Sequence, residues 1–154
     1  MNLIIRLIAT GVIAGSVLTL LMKLVYEITG NKAYVLLYNT DYIPVLNKWE
    51  SSEVFGITFH YVFCIASVIG LYFILRAFQL ERRMLPYFFT YTIGSGVLFF
   101  LTSLTDKPPA WTDTKAWFYW TVSHAVYSWI VGFLIIRWIH RKEKVSISTY
   151  EMEI

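Results

Sequence analysis

Charge is scarce in this sequence of 154 residues, where Asp, Glu, Lys and Arg together supply 15%. A soluble domain of that length cannot hide the 57% of residues that are hydrophobic within one core, so an ordinary water-soluble globule is excluded. The net charge of +3 is not gathered into a basic stripe, and no nucleic-acid partner is expected. One cysteine, Cys64, excludes an internal disulfide and a cysteine metal cluster. Inside its apolar run that thiol reads as a small hydrophobe. No glycine-rich phosphate loop, nucleophile elbow or His-Glu metal motif occurs, so hydrolase and kinase chemistry find no support and no enzyme is expected.

What the chain has is long apolar runs, with a mean hydropathy of +0.57. A helix needs about 20 mainly apolar residues to cross a bilayer. Four segments reach that length: Leu3–Val25, Phe55–Phe78, Pro86–Leu104 and Trp117–Ile139. The expected fold is therefore all-α, an integral membrane bundle of four transmembrane helices. Residues 1–142 form its single domain, and 143–154 form a polar cytoplasmic tail. The first run follows Arg6 but continues through Leu21 with no clear Ala-x-Ala site, so an uncleaved helix is expected rather than a signal peptide.

The connections carry their own signals. Gln79–Leu85 is short and charged, which predicts a tight antiparallel pair of the second and third helices. Pro86 suits a helix start, and Pro108-Pro109 cannot continue a helix. In Tyr26–Val54, the residues Tyr34, Tyr38, Tyr42 and Trp49 predict an interfacial segment, either a surface helix or a re-entrant turn. Trp111, Trp117, Tyr119 and Trp120 at one boundary and Trp138 at the other read as aromatic belts.

With both termini inside, the inner side holds Arg6, Arg76, Arg82, Arg83, Arg137, Arg141, Lys142 and Lys144. The outer side holds Lys23, Lys32, Lys48, Lys107 and Lys115. The positive-inside bias thus predicts cytoplasmic termini.

Small residues at helical spacing predict close packing in lipid: Gly11 and Gly15 in the first helix, Ala66 and Gly70 in the second, Gly94, Ser95 and Gly96 in the third. Such faces serve contacts within the bundle, a homo-oligomer or a partner in a membrane complex. Ionisable residues inside a membrane are costly and point to function. Lys23, Glu27, His60 and His124 are the candidates, whereas His140 falls among basic residues at the inner exit. By the 1.5 Å rise of a helix, His60 and His124 lie about 8–10 Å below the outer boundary and share one depth. His60, Cys64 and Ser67 make one weakly polar stripe, and Ser123, His124 and Tyr127 make another. Neutral histidines bonded across helices, a proton-sensing or proton-conducting layer, and axial haem ligation are the readings of the pair. No motif demands haem, and a colourless protein without cofactor is expected.

The chain also resembles the YagU-like bacterial inner-membrane proteins. The likeness runs through Lys23 and Glu27, then His60, Ser67, Gly70 and Tyr72, then Leu104, Thr105, Pro108 and Pro109, and finally Ser123, His124 and Ile135-Ile136-Arg137. It departs where Ile28-Thr29-Gly30-Asn31 replaces the family's Pro-Pro-Arg, and in lacking a histidine in the third helix. The resemblance implies four spans, a bacterial plasma membrane and a link to acid tolerance, but no reaction. It favours a polar cluster of Glu27, His60 and His124 with Lys23 at its rim. Two functions follow as expectations: a proton-responsive or transport-related protein acting through that layer, or an accessory subunit of a larger membrane complex.

Overall fold

The structure, a computed structural model, describes residues 2–41 and 53–140, with the His140 side chain excepted. Among the described residues there is no strand. Four helices are long and apolar enough to cross a membrane: Leu3–Thr29 (α1), Glu53–Ala77 (α2), Met84–Leu104 (α3) and Thr114–Ile139 (α4). The third is α-helical over Met84–Leu98 and 3-10 over Phe99–Leu104. The fourth is α-helical over Thr114–Ile135 and turns π-helical over Ile136–His140. Leu20, Ile93 and Val97 are each more than 60% exposed on the outside of the bundle. Apolar side chains on an outer wall belong against lipid, so the protein is a multi-pass membrane protein.

The helix ends have local causes. α1 runs one turn beyond the expected Val25 and stops at Gly30, whose φ of 69° lets its N–H reach the Tyr26 carbonyl at 2.8 Å. α4 starts three residues before Trp117, because the Asp113 carboxylate accepts from the Ala116 N–H at 2.9 Å and caps the helix. Pro86 stands in the first turn of α3, where its missing N–H costs nothing. Between α3 and α4, Pro108 and Pro109 are joined by a cis peptide.

The long connection after α1 folds back as a 3-10 segment, Lys32–Leu37, that buries Ala33, Leu36 and Leu37 against α1 and α4. Over these residues the expected interfacial segment is a short 3-10 helix. Asn31 hydrogen-bonds Asp113 at 3.4 Å, Asn39 bonds Thr105 at 3.5 Å, and Asp41 pairs with Lys107 at 2.8 Å. The segment is thus tied to the α3–α4 connection as a lid over one end of the bundle. Burial, with the Glu53 charge adding, raises the Tyr34 and Tyr38 phenols above their ordinary range. Tyr42, Trp49 and Lys48, like the tail beyond His140, lie outside the described residues.

Backbones approach closely along three seams, α1–α2, α1–α4 and α3–α4. Glycines explain two of them. A Cβ on Gly11 would sit 2.8 Å from the Ile65 Cα, and one on Gly15 would sit 3.3 Å from the Cys64 sulfur, so both lie in the α1–α2 seam. Gly96 lies against Thr121 and Trp117, and Gly132 against Met84 and Tyr87, in the α3–α4 seam. Gly70 and Gly94 do not take the packing role expected of them, since nothing lies within 4 Å of a Cβ at either. Ala66 is likewise exposed.

The tight α2–α3 pair is also corrected. A short turn joins these helices, yet their backbones make almost no close approach. Their facing positions carry large residues, among them Tyr72 on α2 and Tyr87 and Tyr91 on α3. Interaxial distance follows the side chains at the contact, so tyrosines hold the pair apart where glycines would draw it together.

Candidate functional site

Inward from the lid end, α2 carries the His60 imidazole and α4 the His124 imidazole. His60 lies within electrostatic reach of His124, and both rings are partly buried. Both helices start at the lid end: α2 enters at Gly56, pressed against the Tyr38 backbone, and α4 enters at the Asp113 cap. His60 packs over the Gly15 backbone, and its Nε2 lies 3.6 Å from the Cys64 sulfur one turn along α2.

His124 is held more closely. Its Nδ1 lies 2.8 Å from the Trp120 carbonyl. A carbonyl can only accept, so Nδ1 carries the hydrogen, and in the neutral ring Nε2 presents a lone pair. Nε2 is thus the atom to which a proton adds. The Trp120 ring lies at a centroid distance of 4.2 Å from the imidazole, tilted by 43°. An imidazolium in that position gains from the indole π face. Trp120 is fixed in turn, because its Nε1–H donates to the Ser95 carbonyl at 3.0 Å. Trp117 donates to the Gly96 carbonyl at 3.0 Å, and Thr92 shares a hydrogen bond of 3.2 Å with Ser128. The carbonyls that take the indole N–H groups lie just before α3 tightens into its 3-10 turns, the usual setting for such a switch.

The four candidate residues therefore divide. The histidines come together, while Lys23 and Glu27 stand on the exposed side of α1. Among the described residues these two make no ion pair, with each other or with the histidines. The cause is angular: α1 buries Leu7, Ala14, Leu18 and Met22 against the bundle, and Lys23 and Glu27 fall outside that stripe. Trp117 and Trp120, expected in an aromatic belt, also tie α4 to α3 through their N–H groups. Trp111, at 55% exposure, remains at the surface.

Sequence reasoning placed Tyr127 beside His124 but missed Tyr91. Tyr91 and Tyr127 meet edge to face at 5.2 Å and 90°, directly beyond His124, whose ring centroid lies 6.2 Å from that of Tyr127. Both hydroxyl oxygens are buried and make no hydrogen bond among the described residues. Cys64 and Ser67 are the polar neighbours on α2. The available signal was spacing: Tyr87 and Tyr91 are one turn apart on α3, as are Ser123 and Tyr127 on α4. Among the described residues no group of three or more His, Cys, Asp or Glu is placed to hold a metal ion.

Chemically the arrangement offers two partly buried imidazoles, a buried thiol and buried hydroxyls. Such a set can bind, hold or relay a proton. No family model, curated protein or solved structure matches the chain.

Proposed function

We propose that the protein is a proton-responsive membrane protein whose sensing groups are His60 and His124. The observation that carries this reading is the His124 imidazole held 4.2 Å from the Trp120 ring, with His60 on another helix within electrostatic reach. Histidine is the side chain whose ordinary pKa puts its charge change between pH 5 and 8. Two positive rings in one low-dielectric space repel, so acidification works against the α2–α4 arrangement. The bacterial plasma membrane, cytoplasmic termini and kinship with the YagU-like proteins belong to the same proposal. They rest on the residue order and on the gathering of Arg6, Arg76, Arg82, Arg83 and Arg137 at the end away from the lid.

The test is tryptophan emission from protein in nanodiscs between pH 8 and pH 4, the range extending low because burial disfavours the charged rings. An imidazolium against Trp120 quenches its indole, so emission falls on acidification in wild type and stays flat in His124→Gln. Trp120→Phe identifies the responding ring. Emission that is flat in wild type, or that falls equally in His124→Gln, removes the reading.

A second reading has one observation in its favour. Ala66 and Gly70 leave an open strip on the outside of α2, where another backbone can come close. An accessory subunit of a membrane complex would use such a strip. Loss of a co-purifying membrane protein on Gly70→Leu, with bundle stability unchanged, is the result it requires.

A further inference from the structure

The polar interior continues beyond the histidines to the opposite end of the bundle. Cys64, Val68 and Tyr72 follow one another on a single face of α2, and all three are buried. The Cys64 and Ser67 side chains neighbour the hydroxyls of Tyr91 and Tyr127, which are themselves in ring contact. One turn further along α3 stands Tyr87, wholly buried and within electrostatic reach of Tyr72 and Tyr91. Its hydroxyl donates to the Glu81 carbonyl at 3.0 Å. Glu81 closes the series in the turn after α2. One of its carboxylate oxygens lies 3.6 Å from Arg82 Nε, and the other is buried without a hydrogen-bond partner among the described residues. From His60 to the end of α2 the column spans about 25 Å, most of a bilayer's hydrocarbon thickness.

Three of its polar atoms, the Tyr91 and Tyr127 hydroxyls and a Glu81 oxygen, are buried and make no hydrogen bond of good geometry among the described residues, with Ser67 and Cys64 the nearest polar groups to the two hydroxyls. A buried unpaired hydroxyl or carboxylate oxygen costs free energy that a packing role does not return. A hydroxyl can accept a proton on its lone pair and pass its own onward, so neighbouring hydroxyls can relay one.

We propose that this column conducts protons between the histidine layer and Glu81, so that the protein is a proton uniporter. The proposal rests on the histidine layer being the proton-binding site described above. A proton adds to Nε2 of His124 or to the neighbouring His60 ring. Each hydroxyl then accepts a proton on a lone pair and passes its own onward, and the Glu81 carboxylate takes the proton that leaves the column. No bond between heavy atoms changes. One proton enters for each that leaves, and the charge carried is balanced by counter-ion movement across the membrane.

The column suits a proton rather than a metal cation. Between the histidines and Glu81 its lining is neutral, with no carboxylate to offset a desolvated cation. The titratable groups facing it are His60, Cys64 and Tyr72 from α2, Tyr87 and Tyr91 from α3, and His124 and Tyr127 from α4. Glu81 and Arg82 face it from the turn. The buried face of α1 contributes none, and Arg6 is occupied at the far end by the Trp138 carbonyl.

The test uses full-length protein in liposomes loaded with a pH-sensitive dye, with a potassium gradient and valinomycin supplying the counter-ion. Wild type should acidify or alkalinise the lumen faster than protein-free vesicles. Tyr127→Phe, Tyr91→Phe and Glu81→Gln should each slow the flux at least tenfold. The tyrosine variants keep the ring and lose only the hydroxyl, and their pH-dependent Trp120 emission should persist. Wild-type flux no faster than in empty vesicles, with the emission change intact, overturns conduction and leaves proton sensing standing. Flux untouched by the double tyrosine variant and by Glu81→Gln overturns the route. Potassium flux without valinomycin overturns the selectivity.

Discussion

The two sides of α3 are built on opposite rules. Toward α4, glycines bring the backbones together and three polar side chains cross the seam to a partner, Trp117 to Gly96, Trp120 to Ser95 and Thr92 to Ser128, while the Thr121 hydroxyl beside Gly96 has none among the described residues. Toward α2, tyrosines hold the backbones apart, and the Tyr91 and Tyr127 hydroxyls make no hydrogen bond among the described residues. One side is a bonded joint and the other a polar interior. In lipid no water competes for buried donors, so a bonded seam gives cohesion, and an unsatisfied interior persists only where something else pays for it. That contrast is why the functional proposals stand on the tyrosine side.

The contrast can be broken most forcefully at the glycines. Leucine at Gly132, or at Gly11 in the α1–α2 seam, overpacks a closed joint and should destabilise by about 2–3 kcal/mol. Leucine at Gly70 or Gly94 meets open space and should shift stability by less than about 0.5 kcal/mol. Thermal unfolding in one detergent, read by size-exclusion fluorescence, separates the two pairs. Equal loss at all four positions would show that the outward glycines are covered.

A smaller effect is expected at the indoles. Trp120→Phe removes the donor to Ser95 and should cost about 1 kcal/mol. Reversible unfolding in mixed micelles measures it, and a neutral result would mean that the bond does not hold the seam.

The hydroxyls give finer contrasts. A double-mutant cycle of Thr92→Val and Ser128→Ala should return a coupling of about 0.6 kcal/mol, typical of bonds between membrane helices. Tyr91→Phe and Tyr127→Phe remove hydroxyls that make no hydrogen bond among the described residues, so the same unfolding measurement should find them neutral or slightly stabilising. A cost above about 1 kcal/mol for either would place that hydroxyl in a protein hydrogen bond and erase the difference between the two sides.

The sequence announces the spans and conceals the faces, and lipid is the reason for both. Twenty apolar residues register as a crossing whatever their order, which is why α1 to α4 could be placed within a few residues. Counting inward from the helix ends also brought His60 and His124 to one depth. A soluble helix would reveal its inner face by alternation with polar residues, but a helix apolar all round gives no such bearing. Lys23 and Glu27 were therefore assigned to the interior from depth alone, and Gly70 and Gly94 were assigned to seams that their helices turn away from. The shared tyrosine interior was hidden for a related reason. Aromatic residues are expected at membrane boundaries, and only the side chains crossing from α2, α3 and α4 show that Tyr72, Tyr87, Tyr91 and Tyr127 share one interior.

The arrangement of seams also dictates an order of assembly. α1 and α2 close on each other through Gly11, Gly15 and Ile65, so the first hairpin is complete as soon as both helices have entered the bilayer. α3 gains no comparable joint with α2, and its glycine and carbonyl partners all belong to α4. During synthesis α3 therefore waits, polar edge unmet, until the last helix emerges. α4 then completes the bundle twice over, clasping α3 along one side and, through Arg6 on the Trp138 carbonyl, the beginning of the chain along the other.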